Sequence, residues 1–433
     1  MTTSSATAID PQLEAAFLAI AADPAVAGAL RQLKADEPST LDEQKRVVEI
    51  PSPPFGEARR AQHYLARMRD LGLAEACLDA EGNVVGLRHG VGRRPKLVVS
   101  AHLDTVFAAG TDVAVREKDG VLYAPGIGDD GRGLAVLLAL LRALNTAKLR
   151  TVGDIMFVGT VGEEGLGDLR GVKALFRDHA DIDGFISIDK MGVHRIVNQA
   201  SGSRRTGITF KGPGGHSFND FGQPSAIHAM GRAIAKIADI RTPADPKTTF
   251  TIGIVEGGQS VNAIAGRATM LVDMRSSQRD AMLELERAVL GLIESAVADE
   301  NRRWGSDKIS FQLESVGDRP AGVTPANAII VQAARRSVAA VAGGIDAQLV
   351  VSSTDANIAM SRGIPAVTIG GGGEGGDAHT TGEWYKPTES HLGPQSALLL
   401  VLALAGLDGV TQPMLRRGPA WTAAEACCNA IDS

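Results

Sequence analysis

Apolar residues recur at helical spacing over Ala15–Ala22, Thr40–Val48 and Glu57–Leu71, and the proline-rich run Ile50–Pro54 breaks the chain between the last two. Beyond Gly82 the pattern changes. Short apolar runs at Lys96–Ala101, Asp154–Thr160 and Gly184–Ile188 predict buried strands. Longer segments with helical spacing, Gly131–Asn145 and Leu169–His179, alternate with them. Strand–helix alternation of this kind implies a largely parallel sheet covered on both faces.

The middle of the chain differs. Thr206–Lys211, Thr248–Val255, Ala268–Arg275 and Ile309–Leu313 predict strands with alternating polarity, and only two helices, Ser225–Ile237 and Arg279–Asn301, lie among them. That ratio predicts a smaller antiparallel sheet carrying two helices on one face. Alternation resumes with Asn327–Ala342, Ala347–Val351, Ile364–Ile369 and Glu389–Leu407. The expected organisation is an α/β domain of residues 1–204 and 318–433, interrupted by a second domain of residues 205–317. Gly370–Gly376 is too glycine-rich for a strand and is expected to be a loop held close to something functional.

Composition narrows the classes. The 433 residues carry 44 Lys plus Arg against 50 Asp plus Glu, a net charge of −6. No basic run is present, so a phosphate-rich nucleic-acid partner is not expected. Cys77 and the adjacent Cys427 and Cys428 make neither a disulfide framework nor a zinc-finger spacing. Ala15–Leu30 contains Asp23 and Pro24, and Ala397–Ala405 is short, so neither a signal peptide nor a membrane span is expected. A cytoplasmic protein without a membrane partner is the resulting expectation.

Candidate chemistry concentrates where strands end. His102 and Asp104 are two apart at the end of a strand and share a face; an imidazole oriented by a carboxylate suits a metal ligand, although a capped strand end also fits the pair. Gly126–Gly133 places Asp129 and Asp130 before the apolar helix. An N-cap accounts for one Asp but not for the surrounding glycines. Gly162-Glu163-Glu164-Gly165 sets two acids side by side after a strand, where they repel unless a cation or solvent intervenes. Asp189 ends a further strand, and His379 follows the glycine loop. Each signal alone fits a cap or a solvated loop. Together they set two His and several carboxylates at ends of parallel strands, where a ligand crevice lies in open α/β sheets. Mixed His and carboxylate donors suit Zn, Mn or Co better than Mg or Ca, and donors enough for two ions point to two-metal hydrolysis.

The succession His-x-Asp, Gly-x-Gly-Asp, Gly-Glu-Glu-Gly, strand-end Asp and late Ala-His resembles the co-catalytic di-zinc exopeptidase and amidohydrolase family M20. Tripeptide aminopeptidase, glutamate carboxypeptidase, acetylornithine deacetylase and succinyl-diaminopimelate desuccinylase belong to it. The resemblance implies a di-metal phosphorylase/hydrolase-like catalytic domain with an inserted ferredoxin-like α+β lid and dimerisation domain. It implies two divalent transition-metal ions per subunit, zinc first, with manganese or cobalt as alternatives. His102 and Asp189 would hold one ion, Glu164 and His379 the other, and Asp129 would bridge them. Asp104 would orient His102, and Glu163 would be the general base. Gly131-Arg132 stands where relatives often carry a Lys two residues after the bridging Asp. In the insertion, Lys211–Ser217 resembles the lid motif whose His, here His216, serves the partner subunit of a homodimer. Asn262 and Arg275 resemble substrate contacts, and Ser353–Asn357, with Thr354 and Asp355, resembles a loop near the substrate. The implied reaction is hydrolysis of an amide-type C–N bond by an aminopeptidase on short peptides. Asp rather than Glu at position 189 is the aminopeptidase-type choice, and Glu374 and Asp377 could attract a free α-ammonium group. The alternative is a catabolic amidohydrolase or aminohydrolase (deaminase) acting on a small non-peptide substrate, aromatic amines and amides among the candidates.

Overall fold

The computed structural model describes residues 9–416; Cys427 and Cys428 lie outside the described residues. The chain divides into two compact units. One runs through Ala200 and resumes at Val323; the other is Ser201–Gly322.

In the first unit the strands Asp154–Thr160, Lys96–His102, Gly184–Ile188 and Ala366–Ile369 lie side by side in that order, all parallel. Their register aligns His102 with Thr160 and Ile188 with Ile369, so their carboxyl ends finish along one crest. Antiparallel strands flank them, Val84–Arg88 on one side and Arg195–Ala200 on the other. The sheet is therefore mixed, with its parallel part at the centre. Helix Gly131–Thr146 and helix Leu392–Ala405 are apolar on nearly every face because both are enclosed in the core, which they share with Leu97, Val99 and Ile186 of the sheet. Sequence periodicity missed helix Pro24–Ala35. Its N-cap is Asp23, whose side chain accepts from Ala25 N and Val26 N, and the same residue ends Pro11–Ala22. Among the described residues no single helix is long and apolar enough to cross a membrane; the two N-terminal helices meet at 74°.

A second, small sheet joins Glu374–Gly376, Trp384–Lys386, Val121–Tyr123 and Arg116–Lys118 in that order. The glycine segment expected to be all loop thus ends in a short strand. Main-chain pairing needs no side chain, so glycine does not forbid it. Gly370 is required for another reason: a Cβ there would lie 2.1 Å from the carbonyl oxygen of Gly192.

The second unit is a four-stranded antiparallel sheet in the order Thr248–Gly257, Arg267–Ser276, Gly202–Lys211, Ser310–Arg319. Helices Ala226–Ala238 and Arg279–Arg303 follow the first and third of these strands in chain order. The βαββαβ succession is ferredoxin-like. Arg267–Ser276 alternates strictly, with Ala268, Met270, Val272 and Met274 packed against Ala233, Ile237, Val289 and Ile293 of the helices.

Candidate metal centre

Three of the parallel strand ends deliver side chains to one place. His102 ends its strand; Glu163 and Glu164 follow the neighbouring strand, and Asp189 follows Ile188 on the other side. The small sheet supplies the remainder. Val121–Tyr123 leads into the loop carrying Asp129, and Trp384–Lys386 leaves the turn carrying His379. Donor atoms of His102, Asp129 and Asp189 lie within 4.8 Å of one another, as do those of Asp129, Glu164 and His379, and those of His102, Glu163 and Glu164. Asp129 is shared by the first two groups: its Oδ1 is 3.0 Å from His102 Nε2, and its Oδ2 is 3.3 Å from His379 Nε2. His379 Nε2 is also 2.9 Å from Glu164 Oε1. All of these side chains are buried except His379.

Carboxylates and imidazoles this close hold each other's protons. Hydrogen bonds to Asp129 and Glu164 push His379 up to about 10. Burial opposes a charged His102, but its hydrogen bond to Asp129 together with the charges of Asp130, Asp104 and Asp129 outweighs that and raises it. Burial also opposes charge on Asp129, yet Lys190 and the two imidazoles hold it well below the usual carboxylate range. Burial raises Asp189. Its Oδ1 accepts no well-aligned hydrogen bond, although Lys190 Nζ is 3.2 Å away. A buried carboxylate oxygen lacking such a bond, beside five further donor residues at the strand ends and loops, fits a divalent cation. His102, Asp129 and Asp189 would hold one ion, and Asp129, Glu164 and His379 a second.

Asp104 acts by two routes. Its main-chain carbonyl is 3.0 Å from His102 Nδ1, whereas its carboxylate is 3.7 Å away. The carboxylate instead accepts from Glu163 N at 3.0 Å and Glu164 N at 2.7 Å, fixing the turn that carries both acids. Asp130 points away from the donors: its carboxylate caps helix Gly131–Thr146 through Gly133 N and accepts from His102 N. Arg132 is a buried staple from that helix to the carbonyls of Gly371 and Ser390, with Glu37 at 3.0 Å. At the start of the short helix Ala356–Ser361, Thr354 Oγ1 accepts from Ala356 N, while the Asp355 side chain makes no capping hydrogen bond. Asp355 lies buried beneath the site, accepting from Thr160 Oγ1.

Two residues near the centre escaped the motif reading. Lys190 brings a cation to Asp189 and Asp129, at 3.2 and 3.6 Å. Glu383 is fully buried, and its carboxylate accepts from Gly126 N, Gly128 N and Asp129 N at 2.8–2.9 Å. Burial raises its carboxyl to about 7, against three N–H donors that favour the charged form. Neither residue carries a spacing signal of its own.

Within the second unit, His216 and Asn262 share one small ladder, in which His216 pairs with Ala263 and Ser217 N donates to Asn262 O at 2.9 Å. His216 is exposed, and its Nδ1 accepts from Phe218 N and Asn219 N, which fixes the ring. Arg275 is not brought to them. It sits eight residues along its strand from Arg267, about 26 Å of extended chain, and its Nε donates to Asp273 at 2.8 Å.

Residues 98–405 match the sequence model of Peptidase family M20/M25/M40. A tripeptidase from Staphylococcus aureus is 25% identical in sequence and superposes with a TM-score of 0.70, covering 84% of this chain and 96% of that one. The aminopeptidase PepT of Bacillus cereus, 23% identical, shares the fold with a TM-score of 0.66 over 84% of this chain and 97% of its own. Succinyl-diaminopimelate desuccinylase of Corynebacterium glutamicum is 25% identical over 76% of this chain and 87% of that enzyme. The matched stretch runs from the strand bearing His102 to the last core helix and takes in every donor of the cluster. The chain belongs to peptidase family M20/M25/M40 and is a metal-dependent hydrolase of amide bonds.

Proposed function

We propose that this enzyme is an aminopeptidase on short peptides, built on a pair of divalent transition-metal ions, zinc in the first instance, with manganese or cobalt as the alternatives. The observation that carries this reading is the sharing of Asp129 between two donor groups, one with His102 and Asp189 and one with Glu164 and His379. Bound there, such ions lower the pKa of water and polarise the amide carbonyl. Glu163 takes the proton of the attacking water and returns it to the leaving amine. The carboxylate of Asp104 holds Glu163 in place by its main-chain N–H. His102 keeps its Nε2 toward the donors because its Nδ1 is engaged by the Asp104 carbonyl.

The insertion, residues 205–317, is in this reading a lid and dimerisation domain, and residues 1–204 with 318–433 form the catalytic domain. The enzyme is a cytoplasmic homodimer in which His216 serves the partner subunit's site, stabilising the developing oxyanion. Asn262 and Arg275 contact the substrate. Support for a peptide substrate comes from the resemblance to the S. aureus tripeptidase. The test is a hydrolysis screen of the metal-replete enzyme on di- and tripeptides, their N-acetylated forms, and small aromatic amides and amines. Cleavage of free peptides with a lower kcat/KM after N-acetylation is expected. No peptide turnover beside robust hydrolysis of an aromatic amide or amine would make the enzyme a catabolic amidohydrolase instead.

A further inference from the structure

We infer that Glu383 is a positioning residue that fixes the shared carboxylate of Asp129 relative to His379 by clamping the loop of one to the turn of the other. The inference rests on reading Asp129 and His379 as metal ligands. These two residues lie 250 positions apart in the chain, on loops rather than inside strands, and loops need an external reference to hold a metal geometry.

Glu383 supplies that reference on both sides. Toward the Asp129 loop, Oε2 accepts from Gly126 N at 2.8 Å, and Oε1 accepts from Gly128 N at 2.8 Å and Asp129 N at 2.9 Å. Toward the His379 turn, its own N donates to Thr380 O at 3.2 Å, one residue past the imidazole. Its carbonyl accepts from Ala124 N at 3.2 Å, and the next residue, Trp384, pairs with Tyr123. The main chain of Asp129 is thereby fixed at its N–H, leaving its side chain directed between His102 and His379.

Of the glycines around Asp129, which an N-cap leaves unexplained, Gly128 lies against this contact. A Cβ on Gly128 would lie 3.2 Å from Glu383 Oε1 and 2.5 Å from Met191 Sδ, and Gly126 has φ of +77°. The loop meets the carboxylate at main-chain distance; a side chain at Gly128 would crowd both it and Met191, and one at Gly126 would meet Thr105 at a positive φ. Only a carboxylate satisfies three converging N–H groups with two oxygens. An amide turns one acceptor into a donor, and at least one buried N–H then faces another N–H.

The test is metal binding rather than turnover. The full-length protein is stripped with chelator and titrated with Zn²⁺ by calorimetry, and bound zinc is counted after gel filtration. Wild type should take up two ions. Glu383→Gln, folded by circular dichroism, should bind at least one of them tenfold or more weakly, in the range expected when a partner of a metal ligand is removed. Val338→Ala, in the buried face of helix Ile329–Val341, supplies the control for general destabilisation and should bind as wild type does. If Glu383→Gln does not fold, Gly128→Ala tests the clamp from the loop side with the same expected loss. A folded Glu383→Gln or Gly128→Ala protein that binds both ions as tightly as wild type would overturn the inference alone. Equal weakening in Val338→Ala would overturn it too, by making the effect one of stability. Wild type that takes up no zinc would overturn the metal reading and the inference together.

Discussion

Asp355 offers a quantitative test of how the floor of the site is built. It is fully buried, Thr160 Oγ1 donates to one carboxylate oxygen, and the other oxygen has no hydrogen-bond partner. Burial, which outweighs the Thr160 hydrogen bond and the nearby His102, pushes its carboxyl up from 3.8 to about 7. Between those two values the folded protein holds a proton that the unfolded chain has released, so stability falls as pH rises through that window. Each pH unit is worth about 1.4 kcal/mol. Two units separate pH 5 from the folded value, so about 3 kcal/mol is lost on going from pH 5 to pH 8. Asp355→Asn has nearly the same shape and cannot ionise, so it should not show that loss. Urea unfolding of both proteins at pH 5 and pH 8 measures it, in chelator because bound cations would favour the charged carboxylate. The variant should gain about 3 kcal/mol on wild type between the two pH values. A stability gap that is the same at both pH values would refute the buried, proton-holding carboxyl.

Glu163→Gln should keep the fold and the metals yet lose about 10²–10⁴-fold in kcat, because the amide cannot accept the water's proton. Glu164→Gln should instead weaken metal binding, and an exchange of the two phenotypes would exchange the roles. His379→Ala should lower occupancy of one ion while leaving the other, as counted by metal analysis; an active, metal-replete enzyme with no more than one ion would defeat the shared role of Asp129. Mixed dimers of His216→Ala and Glu163→Gln chains should regain activity through one intact composite site. Mixed dimers that form and remain inactive would show that His216 does not act across subunits.

Much of this protein is written along its chain, because periodicity and strand-end position are local properties. The strands Asp154–Thr160 and Gly184–Ile188 are bounded as their apolar runs predict, and helix Gly131–Thr146 extends the predicted one by a residue. The antiparallel character of the second unit was equally legible, since one buried face imposes strict alternation. The donors His102, Asp129, Glu163, Glu164, Asp189 and His379 were legible as strand-end and loop residues of the right chemical types, and their order carried the resemblance. Tertiary structure decided what those signals leave open. The small sheet that brings His379 to Asp129 is made of strands of three residues, too short for any period. It also decided that Asp104 faces His102 with its carbonyl and spends its carboxylate on Glu163 N and Glu164 N. It assigned Asp130 to a cap, and it showed Glu383 as the acceptor of three main-chain N–H groups. The division has one physical cause: hydrophobic patterning is fixed by neighbours in sequence, whereas a hydrogen bond is made to whatever donor the fold brings within 3 Å, and sequence spacing does not encode that partner.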